Sequence, residues 1–140
     1  MMNDSDIEKL QNTSLWSGLT KQDLSLVAKF SEERKFDSGQ TIVAKGAAGD
    51  GFYLILEGAA EVKSNGKTLS KLGPGQFFGE MAIFENQPRS ADVVTTEPSR
   101  VLCLSPNSFK TLLFGNPKIA LKMLQELSRR LRNTDQHLSE

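Results

Sequence analysis

The chain has 140 residues, 38% of them hydrophobic and 24% charged, which is enough for one folded domain with a proper core and too apolar for a disordered segment. Lys plus Arg is 17 and Asp plus Glu is 17, so the formal net charge is zero, which argues against a surface devoted to nucleic acid or anionic lipid. One cysteine (Cys103) and one histidine (His137) exclude an internal disulfide and any zinc, iron–sulfur or His-rich oxygenase site assembled from this chain, and a Ser–His–Asp site would depend on His137 near Glu140.

In chain order, MMNDSDIEKL lacks the basic start and apolar stretch of a signal peptide, and no apolar run approaches the ~20 residues of a membrane span, so the cytoplasm is expected, with no membrane partner. Residues 4–11 read as a short helix, followed by the apolar anchors Leu15, Trp16 and Leu19. Thr20, with Asp23 in the acidic position of a capping box, starts a helix reaching about Phe30; Leu24, Val27 and Phe30 form its apolar face. From Arg34 to Ser105 the pattern changes to about eight short apolar runs between turns, the pattern of a small barrel or jelly roll. Asn65-Gly66 is a two-residue hairpin signal, because both residues tolerate positive φ. Lys45 to Gly51 (KGAAGDG) is glycine-rich but lacks the GK[ST] ending of a P-loop, and reads as a turn supporting the strands.

Pro106 opens a short helix, Gly115-Asn116 breaks it, and Pro117 opens the longest helix, to about His137. Ala120, Leu124, Leu127, Leu131, Thr134 and Leu138 alternate at spacings of three and four, a heptad-like seam that fits either packing on the chain's own barrel or pairing with the same helix of a second copy; Ile119 and Met123 widen the apolar face. Arg129, Arg130 and Arg132 read as a solvated face, His137 as a solvated helix-end residue, and Cys103 as a buried structural thiol. Phe52, Phe77, Phe78 and Phe84 read mostly as core.

The stretch FFGEMAIFENQPRSADV, Phe77 to Val93, places one carboxylate (Glu80) after Gly79 and one guanidinium (Arg89) after Pro88. A surface salt bridge is the commoner reading of such a pair. The other is a ligand site: EMAIF has the length of a helical turn whose first N–H groups suit an anion, Arg89 suits phosphate oxygens, and Glu80, which only accepts, suits paired hydroxyls.

The order of these residues resembles the cyclic nucleotide-binding domain family. The resemblance runs through LWSGLTKQDLSLVAKF, FDSGQTIVAKGAAGDGFYLILEGAAEV, LGPGQFFGEMAIFENQPRSADVVTTEPSRVLCL and NPKIALKMLQELSRRL. It implies a mainly β fold, an eight-stranded antiparallel jelly-roll barrel with N-terminal helices and a long C-terminal helix. The divisions would be 1–31 (helices), 32–105 (barrel, with a phosphate-binding cassette at 77–91) and 106–140 (C-terminal helices) in one domain, 1–140. In the family the cassette glutamate accepts from the ribose 2′-hydroxyl, and the arginine with nearby amides binds the cyclic phosphate. Those roles carry over to Glu80, to Arg89 and to the amides of Gly79, Met81 and Ala82. Ser90 matches a position beside the phosphate, and Phe78 would shape the pocket floor.

The C-terminal helix is similar, more narrowly, to that of catabolite activator-type regulators, whose helix dimerises and carries a Thr-Ser pair touching adenine. Thr134 matches that threonine, while Asp135 stands at the serine, so the contact expected from the serine is not implied. Those regulators continue into a helix-turn-helix domain; with the sequence stopping at Glu140, no direct nucleic-acid contact is expected. The resemblance thus implies a non-enzymatic sensor, without cofactor, for cAMP ahead of cGMP, a preference resting on Thr134 and on Ser90 where cGMP-selective members often carry Thr. Its partners would be the nucleotide and either a second copy through the C-terminal helix or an unidentified protein. The alternative is a degenerate fold that docks or dimerises without nucleotide.

Overall fold

The computed structural model describes residues 2–13, 16–48, 50–86 and 88–139, with side chains throughout except at Met81 and 134–139. Two capped helices lead the chain, α1 (Asp4–Gln11) and α2 (Lys21–Lys29). The α2 start is the capping box expected from the sequence: Asp23 N–H donates to Thr20 Oγ1 (3.1 Å) and Thr20 N–H donates to the Asp23 carboxylate (2.9 Å). Two otherwise unpaired N–H groups are thereby satisfied. Asn3 and Asp6 cap α1 in the same reciprocal way, a box the sequence reading did not single out.

Eight strands follow: β1 (Glu32–Phe36), β2 (Thr41–Val43), β3 (Phe52–Glu57), β4 (Ala60–Ser64), β5 (Lys67–Leu72), β6 (Phe77–Phe78), β7 (Asp92–Thr95) and β8 (Ser99–Leu104). A one-turn helix, α3 (Glu80–Phe84), interrupts them between β6 and β7, and α4 (Pro106–Gly115) and α5 (Pro117–Ser139) complete the chain. The strands form two four-stranded antiparallel sheets, β1-β8-β3-β6 and β2-β7-β4-β5, the jelly-roll arrangement expected from the sequence. Asn65 (φ 54) and Gly66 (φ 76) close the β4–β5 hairpin with both residues in the left-handed region, as a two-residue turn of this kind requires.

In the first sheet β3, β6 and β8 are buried on both faces while β1 is largely exposed, and β3 and β8 divide their side chains accordingly. Phe52, Leu54 and Leu56 of β3, with Leu102 and Leu104 of β8, point toward the helices and join Trp16, Leu24, Phe109, Leu112, Ile119 and Met123. Tyr53, Ile55, Val101 and Cys103 point the other way, into a smaller core shared with Val43, Ala60, Phe78 and Val93. Cys103 is accordingly a buried thiol, and burial raises its pKa. The indole N–H of Trp16 donates to the Gly75 carbonyl, which pins the segment between α1 and α2 to the turn leading into β6. Phe84 departs from expectation: it is 52% exposed, its ring leaning on Phe109 at 5.4 Å rather than filling the core.

Asn116 alone joins α4 to α5. Its N–H and side-chain amide donate back to Leu113 and Leu112, while its carbonyl accepts from Ile119 and Ala120 at the start of α5. Ile119, Met123 and Leu127 turn toward the core, whereas Leu121, Leu124 and Leu131 are more than half exposed. The heptad-like seam is therefore split: among its leucines with described side chains, Leu127 packs on the core while Leu124 and Leu131 do not.

Arg100, on β8, ties α1 to the sheet. Its fork donates to both Asp6 oxygens (3.1 and 3.0 Å), to Glu33 of β1 (2.9 Å) and to Glu57 of β3 (3.3 Å). Burial alone would raise the Asp6 carboxyl, but the Arg100 fork and the Asn3 amide outweigh it, so its pKa lies below the usual value; Arg100 lowers Glu33 against the same opposition from burial. Depressed carboxylate pKa values mean stabilisation that is present above the unfolded value of about 4 and lost as pH falls through the folded values. Arg100→Met should therefore cost about 1–3 kcal/mol near neutral pH and lower Tm by several degrees in scanning calorimetry. The difference from the natural chain should narrow in acid, as the carboxylates protonate.

Candidate functional site

Between β6 and α3 the chain passes through Gly79, whose φ of +95° lies where side chains are strained. A Cβ there would stand 2.7 Å from Arg89 Nη1 and 2.7 Å from the Gly51 carbonyl oxygen. Glycine is needed because the arginine approaches the backbone so closely. Arg89 is 5% exposed; Nη1 donates to the Gly79 carbonyl (2.9 Å), and Nη2 donates to the Gly51 carbonyl (2.6 Å) and to Asp50 (3.2 Å). Its main chain is gripped as well: its N–H donates to Ala47 and its carbonyl accepts from Gly46, both at 2.8 Å. The glycine-rich loop is thus more than a turn supporting the strands. It forms one side of a clasp around Arg89.

Glu80 begins α3 and is 4% exposed. Burial raises its pKa, opposed by a hydrogen bond to its own backbone and by the charges of Arg130 and Arg89, and reinforced by Glu126. The simple Glu80–Arg89 salt bridge is not what the chain builds. Arg89 pairs with Asp50, and Glu80 faces Arg130 of α5, with Oε1 3.6 Å from Nη1.

A cavity of about 680 Å³ opens between β5, the Phe78–Ala82 segment, Arg89–Ala91 and α5. Among the described residues, two buried side-chain atoms have no hydrogen-bond partner: Glu80 Oε2 and Arg89 Nε. Both residues line this cavity. One orphan only accepts and the other only donates, and buried polar atoms are normally paired. The arrangement suits a ligand that brings a hydroxyl to one point and an anionic oxygen to the other.

Of the residues singled out from the sequence, Phe78, Gly79, Glu80, Ala82, Arg89 and Ser90 line the cavity. Met81 lies in the first turn of α3, its side chain outside the described residues. Thr134 lies on α5 directly after Asn133, which lines the cavity; the Thr134 side chain is likewise outside the described residues.

Arg130 is a correction. Rather than belonging to a solvated face, it donates from Nη2 to the Phe77 carbonyl (2.7 Å) and from Nε to Glu126 (3.2 Å), and it stacks on the Phe77 ring. Its signal was present in the spacing: Ile119, Met123, Glu126 and Arg130 continue the three- and four-residue steps of the core-facing stripe. Asp50 and Gly51 carried no comparable signal, because only the fold brings them to Arg89.

Comparison with known proteins gives the same pattern. The family model of the cyclic nucleotide-binding domain matches residues 33–116. A cAMP-dependent protein kinase regulatory subunit from Yarrowia lipolytica is 34% identical over 106 residues, 76% of this chain and 28% of that protein. Among solved structures, Thermus thermophilus catabolite activator protein superposes with a TM-score of 0.81 at 30% identity, covering 91% of this chain and 62% of that one. The regulatory domain of Toxoplasma gondii PKA, co-crystallised with cAMP, superposes at 0.68 with 30% identity, over 87% of this chain and 49% of that one. The chain therefore spans less than two thirds of the length of each of these relatives.

The clasp makes a direct prediction. Gly79→Ala should lose about 1–3 kcal/mol, from left-handed strain and displacement of the Arg89 fork, read as a lower urea midpoint. Gly73→Ala should cost clearly less, since the nearest atom to its added Cβ is Gln76 Oε1 at 4.0 Å.

Proposed function

Because the chain belongs to the cyclic nucleotide-binding domain family, we propose that it is a non-catalytic sensor of a purine 3′,5′-cyclic nucleotide, cAMP ahead of cGMP. The observation that carries this reading is the pair of orphaned atoms in one cavity, a carboxylate oxygen on Glu80 and a guanidinium N–H on Arg89. Glu80 accepts from the ribose 2′-hydroxyl. Arg89, with the amides of Gly79, Met81 and Ala82, holds the cyclic phosphate, with Ser90 beside it. Phe78 forms the floor, and Thr134 meets the base. The names of the kinase regulatory subunit and of the PKA domain crystallised with cAMP support cAMP as the first ligand to test.

The output of the sensor is a change in α4 and α5. A ligand shifts a conformational equilibrium only through its different affinity for the two states. Arg130 gives α5 a direct stake in the site, and the single-residue joint at Asn116 is where the chain passes from α4 into α5. Exposed Leu124 (62%) and Leu131 (64%) support self-association through the same helix. Among the described residues no helix is long and apolar enough to cross a membrane, and we place the sensor in the cytoplasm.

Calorimetric titration with cAMP and cGMP tests the reading. Arg89→Ala should weaken binding by about 3–5 kcal/mol, or 2–4 decades, by leaving the phosphate buried without its counter-charge. Glu80→Gln should cost about 1–3 kcal/mol. No heat from either nucleotide with the natural chain would leave a docking module without ligand as the better description.

An ionised carboxylate accepts from the ribose hydroxyl more strongly than a neutral acid does, and burial raises the Glu80 pKa. Nucleotide affinity should therefore fall as pH drops through that raised value, by at most about tenfold per unit. In Glu80→Gln this dependence should disappear. For self-association, Leu124→Glu with Leu131→Glu should give a monomer by sedimentation equilibrium wherever the natural chain is a dimer.

A further inference from the structure

Arg130 stands between two carboxylates. Its Nε donates to Glu126 Oε1 at 3.2 Å, its Nη2 donates to the Phe77 carbonyl at 2.7 Å, and its guanidinium carbon lies 4.5 Å from the Phe77 ring centre. These contacts fix the fork from three sides. Glu80 Oε1, at 3.6 Å from Nη1, is held beyond hydrogen-bond distance. Glu126 is itself 9% exposed and takes two further hydrogen bonds from Arg129, which anchor it on α5.

A guanidinium this close to a buried carboxylate would gain by closing to a direct bidentate pair, the strongest contact open to either group. Closure would occupy the acceptor positions of Glu80. The contacts to Glu126 and Phe77 prevent it, and Glu80 Oε2 stays unpartnered as a result.

We propose that Glu126 is a positioning residue of the nucleotide site: by anchoring Arg130 it holds the guanidinium off Glu80 and keeps Glu80 Oε2 available to the ribose. This rests on the nucleotide reading above. The charged groups that act on Glu80 are Arg130 and Glu126 from α5 and Arg89 from the segment before β7. Loss of the Glu126 charge lets Arg130 close on Glu80, which stabilises the carboxylate and withdraws it from the ligand together.

The test is a double-mutant comparison in the full chain. Glu126→Gln should weaken cAMP and cGMP binding by about threefold to tenfold, and the same change in an Arg130→Gln background should have no effect, because the residue it restrains is gone. In the ligand-free protein, the Glu80 carboxyl should titrate at lower pH in Glu126→Gln, by carbon-13 NMR, with a smaller shift in the Arg130→Gln background. Arg130→Lys is a second variant: an ammonium cannot span Glu126 and the Phe77 carbonyl at once, and a similar loss of affinity is expected. Equal losses in the two backgrounds, or no loss from Glu126→Gln alone, would overturn the proposal. A natural chain that binds neither nucleotide, with the Glu80 shift still present, would overturn the nucleotide reading and leave the restraint on Glu80 standing.

Discussion

The structure around the site depends on one buried cation. Arg89 is too deeply enclosed to be solvated by water, so its charge must be met by the protein. Two backbone carbonyls and a mostly exposed aspartate do this, Asp50 and Gly51 from the glycine-rich loop and Gly79 from the end of β6. The carbonyls of Gly79 and Gly51 can point at one guanidinium only if β6 and the start of β3 run side by side, which is the antiparallel pairing of Tyr53 with Phe78. The glycine-rich loop, the two-residue β6 strand and the left-handed turn at Gly79 all follow from bringing those carbonyls together.

Meeting the charge with carbonyls rather than with a full complement of carboxylates has a chemical consequence. A carbonyl dipole orients the fork without neutralising it, and Asp50 is mostly exposed, so its compensation is weakened by solvent. Arg89 therefore keeps an uncommitted N–H and most of its positive field. Glu80 is treated the same way from the opposite side: it is buried and faced by a guanidinium, but held short of a hydrogen bond. Both groups are fixed in place and left partly unsatisfied, the preorganised state a polar ligand exploits without paying to reorder side chains.

Much of this was legible in the residues, and the parts that were not share a cause. Local chemistry read correctly: Thr20 with Asp23 as a cap, Asn65-Gly66 as a hairpin, Pro106 and Pro117 as helix starts. Cys103 read correctly as a buried thiol, and it lies in β8, which is buried at every position but Arg100. What stayed hidden were contacts between residues far apart in sequence whose own neighbourhoods look ordinary. Asp50 sits in a polar loop, Arg100 follows a turn, and Arg130 is one of three arginines on a helix, so charge alone reads as solvent exposure. Phe84 misled in the opposite sense, because a phenylalanine beside Ile83 resembles core until the one-turn length of α3 sends it outward.

The two faces of α5 put ligand binding and self-association under one constraint. Arg130 lies on the side toward the cavity, held there by the buried Glu126, while Leu124 and Leu131 lie on the side toward solvent. A helix is stiff over this length, so a shift that follows Arg130 also moves the leucines. On the reading proposed here, the nucleotide and a second copy of the chain then act on a single element. Linkage makes their effects reciprocal: whatever factor the nucleotide applies to association, association applies to nucleotide affinity. A one-residue joint at Asn116 favours such coupling, since a longer linker would let α4 absorb the displacement before it reached the barrel.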